Sequence, residues 1–367
     1  MARACCASMP VPYHLVRCPK DSHREDPMFA RPLVAALGAV AVLGVVATPS
    51  PVRADDFYAD RTVTLLVGFG AGGMYGVYAR LMARHLPNHI PGNPTVAVQH
   101  MPGQGGAKMA NYAYNAAPKD GSYLLELSKD VAVSQKLRPD ASKYKADEFS
   151  YFGRIYPYSA VLMVWHTAGI NTLADARKKE VILASSGKSS HAYMEAKLME
   201  KFGGVKFRIV LGYRGAGDMY KAMEAGEVHA RIGAWISLKS VKKDWLDSGQ
   251  AKVVVQTGLK RAPDLPDTPA ILELGRNDEE RRMFEFMELG GPVGWGLSAP
   301  PGVPSDRKAI LEKAMAAMLK DKAFIDEVKK RGAGYQPTSG AEVTAAVEKT
   351  LAVPDSLIAK MREVAGF

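Results

Sequence analysis

Residues 62–75 read TVTLLVGFGAGGMY, a short apolar segment followed directly by a glycine-rich loop. Thr62 to Val67 is an apolar run with β-branched residues, which is typical of a buried parallel strand. Beyond the loop, apolar residues recur at helical spacing from about Met74 to His85. The stretch therefore predicts a strand, a tight loop and a helix, the repeating unit of a parallel α/β sheet.

The same order of strand, loop and helix recurs along the chain and restarts near residue 160. Further strands are predicted at 95–99, 122–127, 161–165, 181–184, 207–210, 228–232 and 253–256. Helices are predicted at 108–117, 191–202, from the loop at 212–217 to about 226, and at 306–319, 323–331, 341–351 and 355–364. A chain of 367 residues allows about two domains, so we expect two α/β units with crossover helices.

The N-terminal segment, residues 1–54, is predicted to be an extension and a signal peptide that is cleaved. Leu33 to Ala47 is an uncharged apolar run, and Val52 and Ala54 provide the small residues of a cleavage site. The run is too short to cross a bilayer comfortably. A buried core helix is the alternative, which the prolines directly after the run disfavour. We therefore expect an exported, soluble, periplasmic product.

Removing this segment changes what the composition allows. The whole chain has a formal charge of +10, and its first 54 residues contain six basic and three acidic residues, which leaves +7. The three cysteines, Cys5, Cys6 and Cys18, are also removed. The mature chain can then form no disulfide, thiol nucleophile or cysteine-ligated metal centre. Its basic residues alternate with acids on the C-terminal helices, so we expect no nucleic-acid partner.

Gly68, Gly70 and Gly73 match the spacing of a dinucleotide-binding fingerprint. That motif also needs an acid after the second strand to bind the ribose, and residues 61–119 contain no Asp or Glu. A nicotinamide or flavin enzyme is therefore disfavoured, and we expect no cofactor. The absence of acids instead favours an anion at the helix N-terminus, where the amides and the helix dipole are positive. Close packing of strand and helix is the alternative reason for the glycines.

A second polar loop, Ser185 to Ser190, precedes the predicted helix at 191–202. It resembles the end of a phosphate-binding loop, but Ile182 stands where that motif requires its first glycine. The loop, with Lys188, is predicted to form a nest for a carboxylate. Arg214, at the start of a further helix, could bind a carboxylate through two parallel hydrogen bonds; a solvated surface position is the alternative.

Other candidate chemistry is weak. His85 and His89 lie four residues apart, but a proline separates them and no Glu completes a zinc motif, so we expect no metal. The sequence contains no G-x-S-x-G nucleophile motif. Trp235 is predicted to reach the cleft, with packing in the core as the alternative. An acid within hydrogen-bonding distance of His191 or His229 in the deepest pocket would favour an enzyme.

Several short motifs occur in a fixed order along the predicted mature chain. They are VGFGAGG at 67–73 with ARL at 79–81, NPTV at 93–96, MPGQGG at 101–106, APKDG at 117–121, GYRG at 212–215, AGEV at 225–228, LPDTP at 265–269 and APPGVP at 299–304. This ordered set resembles the Bug family, the extracytoplasmic substrate-binding proteins of tripartite tricarboxylate transporters.

The resemblance implies an α/β fold of the two-lobed periplasmic-binding-protein type II kind, each lobe a mostly parallel sheet flanked by helices, with the ligand cleft between lobes. Residues 55–154 with 292–367 would form lobe one, and 155–291 lobe two. The implied function is a monomeric receptor, without catalysis, that captures a small organic mono-, di- or tricarboxylate for integral-membrane transporter subunits. A ligand-sensing receptor for a membrane sensor kinase and, less favoured, a small α/β enzyme are the alternatives.

In that family, backbone amides and water at the strand–loop–helix turns hold the ligand carboxylate. The resemblance and the residue analysis together give a candidate binding set, with residues 213–216 and the loop at 103–107 lining the cleft. The set is Phe69, Gly70, Ala71, Gly72, Gly73, Met74, Tyr75, Gly105, Ser185, Ser186, Gly187, Lys188, Ser189, Ser190, Tyr213, Arg214, Gly215 and Trp235. Gly76 and His229 stand where the family usually has Asp, which leaves the first-loop geometry and the ligand orientation open.

Overall fold

The computed structural model describes residues 57–367. The predicted signal peptide and its cleavage site lie outside the described residues. Within 57–367, no helix is both long enough and apolar enough to cross a membrane.

The helices and strands follow one another in the alternating order predicted for most of the chain. The first group is β1 (Thr62–Val67), α1 (Met74–His85), β2 (Thr95–His100), α2 (Ala107–Asn115), β3 (Tyr123–Glu126), α3 (Val131–Leu137) and β4 (Ser150–Tyr156). The second is β5 (Ala160–Trp165), α4 (Leu173–Lys178), β6 (Glu180–Ala184), α5 (His191–Gly203), β7 (Lys206–Val210), α6 (Ala216–Glu224), β8 (Ala230–Ala234), α7 (Trp235–Val241), α8 (Lys243–Asp247) and β9 (Ala251–Gln256). The last is α9 (Asp278–Glu288), β10 (Trp295–Ala299), α10 (Ser305–Met318), α11 (Lys322–Lys330), β11 (Thr338–Ser339), α12 (Gly340–Leu351) and α13 (Asp355–Ala365).

The strands form two sheets, one in each lobe. The first has the order β11-β4-β10-β3-β1-β2, and the second β7-β6-β8-β5-β9. In the first sheet β1 is parallel to β2 and β3, and in the second β6 is parallel to β7 and β8. The chain passes to the second sheet between β4 and β5 and returns between β9 and β10. The lobe boundaries at 154/155 and 291/292 stay predictions.

Both sheets also contain antiparallel strands, so the pairing is mixed. In the first sheet β10 lies antiparallel between β3 and β4, with register shifts at Trp295/Gly296 and Leu297/Ser298. The sequences SYFGRIY (β4) and WGLSA (β10) are interrupted by glycine and polar residues. They lack the continuous apolar run by which the parallel strands were predicted, which explains why the sequence did not indicate them.

The C-terminal helix α13 packs against α3 and α5. Its Ile358 and Met361 belong to the hydrophobic core beside the second sheet, together with Leu183 of β6 and Leu198 of α5. The tail predicted to belong to lobe one therefore also contributes to the core of lobe two.

Candidate functional site

The loops that follow β1, β3 and β6 surround one cavity between the two sheets, with a volume of about 80 Å³. The carboxyl ends of parallel strands meet at one edge of a sheet, which is where α/β proteins bind ligands. One water needs roughly 10–15 Å³ of such volume, so the cavity holds about six waters or one small organic molecule.

The cavity contains about half of the predicted binding set. The members of the set that line it are Phe69, Gly70, Gly73, Met74, Tyr75, Ser186, Ser190 and Gly215, and Ala216, from the range 213–216 expected at the cleft, lines it as well. Residues that line it but were not in the predicted set are Ser128, Lys129, Asp130, Tyr158, His191, Ala192, Met219, Arg231, Ile232, Ala234, Ser237 and Trp295. The unpredicted group supplies the charged side chains of the cavity.

The first loop presents the N-terminus of α1 to the cavity. Gly73 is the N-cap residue, and in the described chain no side chain caps this helix and no acid lies in its first turn. The first amides of a helix have no partner within it and carry the positive end of its dipole. This N-terminus is therefore open to an anion, as the sequence predicts.

Gly76, one of the two departures from the family pattern, has a structural reason. An ideal Cβ on Gly76 would lie 2.1 Å from the carbonyl oxygen of Ala71, because the loop folds down onto the first turn of α1. The Nη1 atom of Arg80 donates to the same oxygen over 3.2 Å and holds the loop there. Any side chain at position 76, an aspartate included, would displace this loop.

An acid does lie near the first loop, although residues 61–119 contain none. Glu126 of β3 pairs with Val67 of β1, and its side chain is fully buried. Neither carboxyl oxygen has a hydrogen-bond partner among the described residues. Burial raises the pKa of Glu126 well above its usual range, against the attraction of Arg80. Burial therefore favours the neutral form of this carboxyl, which leaves the positive character of the loop in place.

The second loop, 185–190, is occupied by its own hydrogen bonds. The Oγ atom of Ser190 accepts from the amide of Tyr193 and caps α5. Ser190 Oγ also lies 2.7 Å from the hydroxyl of Ser185 and donates to the carbonyl of Gly187 over 2.7 Å. Lys188 is exposed outside the cavity. The predicted carboxylate nest therefore offers few free donors.

A carboxylate from the chain itself already sits at the start of α5. The Oδ2 atom of Asp130, which follows β3, accepts from the amide of His191 over 3.1 Å. Nearby, the hydroxyl of Ser134 donates to the carbonyl of the buried Ser189 over 2.9 Å. These bonds join the first lobe to the second beside the cavity.

The lobes also touch through glycines, which we call the glycine seam: Gly70, Gly72, Gly73, Gly105 and Gly187. The Gly70 amide donates to the carbonyl of Arg214 over 2.9 Å. An ideal Cβ on Gly72 would lie 3.0 Å from the Cα of Gly217, and one on Gly73 would lie 2.9 Å from the Cβ of Ala216. An ideal Cβ on Gly105 would lie 2.6 Å from the amide nitrogen of Ser190, and one on Gly187 would lie 2.8 Å from the Cα of Gln104. Ala71 lies on the same loop but is exposed outside the cavity.

Four other sequence candidates lie outside the cavity. The side chain of Arg214 is exposed, and Tyr213 is half-buried beside it. Trp235 is buried, and its Nε1 donates to the carboxylate of Asp264 over 3.0 Å. His229 accepts from the amide of Ile182 over 3.2 Å, a bond between neighbouring strands. In this structure these side chains serve surface or packing roles rather than lining the cavity.

A buried polar cluster forms one side of the cavity. Lys129 donates to Oδ1 of Asp130 and to Nδ1 of His191, each over 2.7 Å. Burial and the positive charge of Lys129 lower the pKa of His191 to about 4, so the imidazole is neutral with its proton on Nε2. That Nε2 lies 2.9 Å from Oε2 of Glu195, but the groups are not aligned for a hydrogen bond.

Glu195 and Glu288 complete this cluster behind His191. Burial raises the pKa of Glu195 to about 7, and burial together with the neighbouring Glu195 raises that of Glu288 to about 8. Among residues 57–367, donor atoms of these two acids and His191 lie within 4.8 Å of one another, as metal ligands would. The ammonium of Lys129 beside His191 and the protonation of the acids both disfavour a cation there.

A family model described as "Tripartite tricarboxylate transporter family receptor" matches residues 79–362, more than half of the chain. The chain belongs to this family. BugT of Bordetella pertussis is 25% identical to this receptor over 309 residues, which cover 82% of this chain and 88% of that protein. A UPF0065 protein from the gbd 5′ region of Cupriavidus necator is 29% identical over 250 residues, 65% of this chain and 71% of that one. The Bug-family identification is thereby confirmed.

Solved structures confirm the predicted two-lobed fold of the receptor. The periplasmic binding protein BugD has a TM-score of 0.67 and 22% identity, covering 84% of this chain and 99% of that one. An R. palustris protein solved with adipate has a TM-score of 0.64 and 23% identity, covering 83% and 97%. MatC of Rhodopseudomonas palustris, with bound malate, has a TM-score of 0.64 and 21% identity, covering 83% and 99%.

The charged residues that the sequence analysis missed in this receptor had signals of their own. Arg231 is the charged residue of an otherwise apolar strand, ARIGA at 230–234, and buried arginines are rare without a partner. Lys129 and Asp130 follow the strand predicted at 122–127, at the carboxyl end where sites form. The glycine loops are the more conspicuous pattern in the sequence, and they do not point to these three residues.

Proposed function

We propose that this chain is a periplasmic, monomeric receptor that captures a small organic carboxylate between its lobes. The bound solute is then delivered to the integral-membrane subunits of a tripartite tricarboxylate transporter. The observation that carries the proposal is the uncapped N-terminus of α1, which opens onto a small cavity between the lobes. Free helix amides together with the helix dipole favour a carboxylate at this position.

Two further observations support a carboxylate ligand. Arg231 brings a second positive group to the cavity wall. Among structures of the same fold, one contains adipate and another contains malate, both small dicarboxylates. A cavity of about 80 Å³ suits a ligand of that size.

The cavity does not favour catalysis, although His191 lies within reach of an acid as an enzyme would require. An imidazole whose pKa is about 4 is a weak base at neutral pH. Burial raises the pKa of the neighbouring Glu195 to about 7, so it is not a fully ionised partner for the imidazole at neutral pH. The hydroxyl of Ser190 is engaged in capping α5. We therefore propose binding without chemical conversion, and no metal or cofactor.

Binding is expected to stabilise the protein measurably. Thermal and urea unfolding of the protein without residues 1–54 would be followed with succinate, malate, adipate, citrate and benzoate, each beside its amide analogue. A ligand at 100 times its Kd adds about 2.7 kcal/mol to the free energy of unfolding. The amides should give no comparable shift. If no acid in the panel shifts the transition or gives heat in calorimetry, the proposed function is wrong.

Export with cleavage after Ala54 is a separate prediction. The protein recovered from the periplasm should begin with Asp55, Asp56 and Phe57, as read by N-terminal sequencing or intact mass. A variant with Leu33→Arg and Val42→Arg in the apolar run should stay uncleaved, because the run would no longer enter the export machinery. Periplasmic protein that still carries Met1 would contradict this prediction.

A further inference from the structure

Arg231 lies on β8, the central strand of the second sheet. It pairs with Ala184 of β6 on one side and with Met163 of β5 on the other. The residue is only 5% exposed, yet its side chain lines the cavity. An arginine in the middle of a buried sheet is uncommon, because removing a guanidinium from water costs free energy unless something pairs with it.

The guanidinium of Arg231 has no such compensation in the described part of the chain. Its Nε and Nη1 atoms are fully buried and have no hydrogen-bond partner within residues 57–367. Arginine keeps its charge in proteins, so the site presents buried, unpaired positive charge. Lys129, the other cation of the cavity, differs because Asp130 and His191 already accept from its ammonium.

Neighbouring residues hold the guanidinium in place without neutralising it. Its Cζ atom lies 4.7 Å from the centre of the Tyr220 ring, and stacking on a ring face leaves in-plane N–H groups free for an anion. An ideal Cβ on Gly233 would lie 2.1 Å from Nη2, so the guanidinium occupies the space above this glycine. The arrangement keeps a fork of donors beside the cavity.

The two lobes therefore each contribute one free group for an anion. In the first lobe it is the uncapped N-terminus of α1. In the second lobe it is Arg231, because the N-terminus of α5 is already occupied by Asp130 and Ser190, and α6, which also begins at the cavity, has the acid Asp218 in its first turn. We infer that Arg231 binds one acidic group of the solute while the α1 amides bind another, so that the preferred ligand is a dianion bridging the lobes. This inference rests on the proposed function and names the ligand class of that site.

The test compares a dicarboxylate with its monoamide, which has nearly the same size and one charge fewer. Calorimetry would measure succinate against succinamate, and adipate against adipamate, on the wild type, Arg231→Gln and Arg231→Lys. Loss of a buried charge pair costs affinity steeply, so Arg231→Gln should bind the dicarboxylate at least about 30-fold more weakly. Its binding of the monoamide should change only a few-fold. Arg231→Lys should keep part of the preference for the dicarboxylate.

Stability separates this role from a structural one. Without ligand, Arg231→Gln should unfold at equal or higher urea concentration than the wild type, since it removes a buried unpaired charge. A structural arginine would instead lose stability and affinity together. Arg208→Gln, an exposed arginine on β7 with the same charge change, is the matched control and should leave both ligands unaffected.

The outcomes are distinct. A wild type that binds no carboxylate of the panel overturns the proposed function and this inference with it. A wild type that binds acids without preferring dicarboxylates over their monoamides overturns this inference alone. The same holds if Arg231→Gln keeps the wild-type preference. Gly233→Ala, which displaces the guanidinium without removing its charge, should weaken the dicarboxylate more than the monoamide.

Discussion

Replacement Gly73→Val is expected to weaken carboxylate binding roughly 100-fold while leaving the protein folded. The backbone at Gly73 is extended, with φ −125° and ψ −173°, which valine adopts readily. The space is the obstacle, because a Cβ there would lie 2.9 Å from the Cβ of Ala216 in the second lobe. Forcing extra methyl groups into such a contact costs about 1–3 kcal/mol, and 2.7 kcal/mol corresponds to 100-fold in affinity. Calorimetry with the best acid of the panel measures the loss.

Ala71→Val is the matched control, since Ala71 lies on the same loop but is exposed. It should bind as the wild type does. The double variant Gly73→Ala with Ala216→Gly should bind better than Gly73→Ala alone, because it exchanges the two sides of the 2.9 Å contact. If Gly73→Val binds with the affinity of the wild type, the ligand does not need the close contact between Gly73 and Ala216. The assignment of the first loop as a binding element would then be withdrawn.

Glu288→Gln is expected to make the protein progressively more stable than the wild type as the pH rises from 5 to 8. The pKa of Glu288 is raised from 4.5 to about 8 by burial and by Glu195. The folded protein therefore keeps a proton that the unfolded chain releases, so wild-type stability falls through this range. At 1.36 kcal/mol per pKa unit the difference reaches on the order of 4 kcal/mol at pH 8.

Below pH 5 the two proteins should be nearly equal, because a neutral amide then replaces a neutral carboxyl. His191 titrates in the opposite sense, since its folded pKa is lowered to about 4. The lowered pKa of His191 therefore increases the free energy of unfolding as the pH rises to 6.5, and it does so in both proteins. Urea unfolding at pH 5, 6, 7 and 8 measures the difference. Glu285→Gln, an exposed acid on the same helix, should show no such trend, and parallel stability curves for Glu288→Gln and wild type would refute the prediction.

Most of the strands, and the helix α1 whose N-terminus opens onto the cavity, were predicted because their sequence signals are local. Thr62–Val67 and Met74–His85 have the bounds that their apolar pattern indicates. β4 and β10 were missed because neither segment has a continuous apolar run, and their pairing joins residues more than 130 positions apart. Such pairing is decided by packing across the fold rather than by the pattern of either segment.

The lining of the cavity was predicted where glycine loops form it and missed where charged side chains form it. The glycines of the first loop indicated the cavity, since their role is steric and visible in the sequence. Whether Lys188 or Arg231 lines the cavity depends on how the two lobes pack against each other. The spacing of residues within one segment does not contain this information. Asp130 shows the same limit, because it caps a helix that begins 61 positions later.

The glycine seam has a consequence for whatever membrane subunits meet this protein. At this seam, main-chain atoms and the smallest side chains set the distance between the lobes. We therefore expect the outline of the protein to depend little on which solute the cavity holds. We also expect substitutions within the cavity to change which solute binds without changing the outer surface. A transporter that recognises only the outer surface of this protein would then accept a new solute without substitutions of its own.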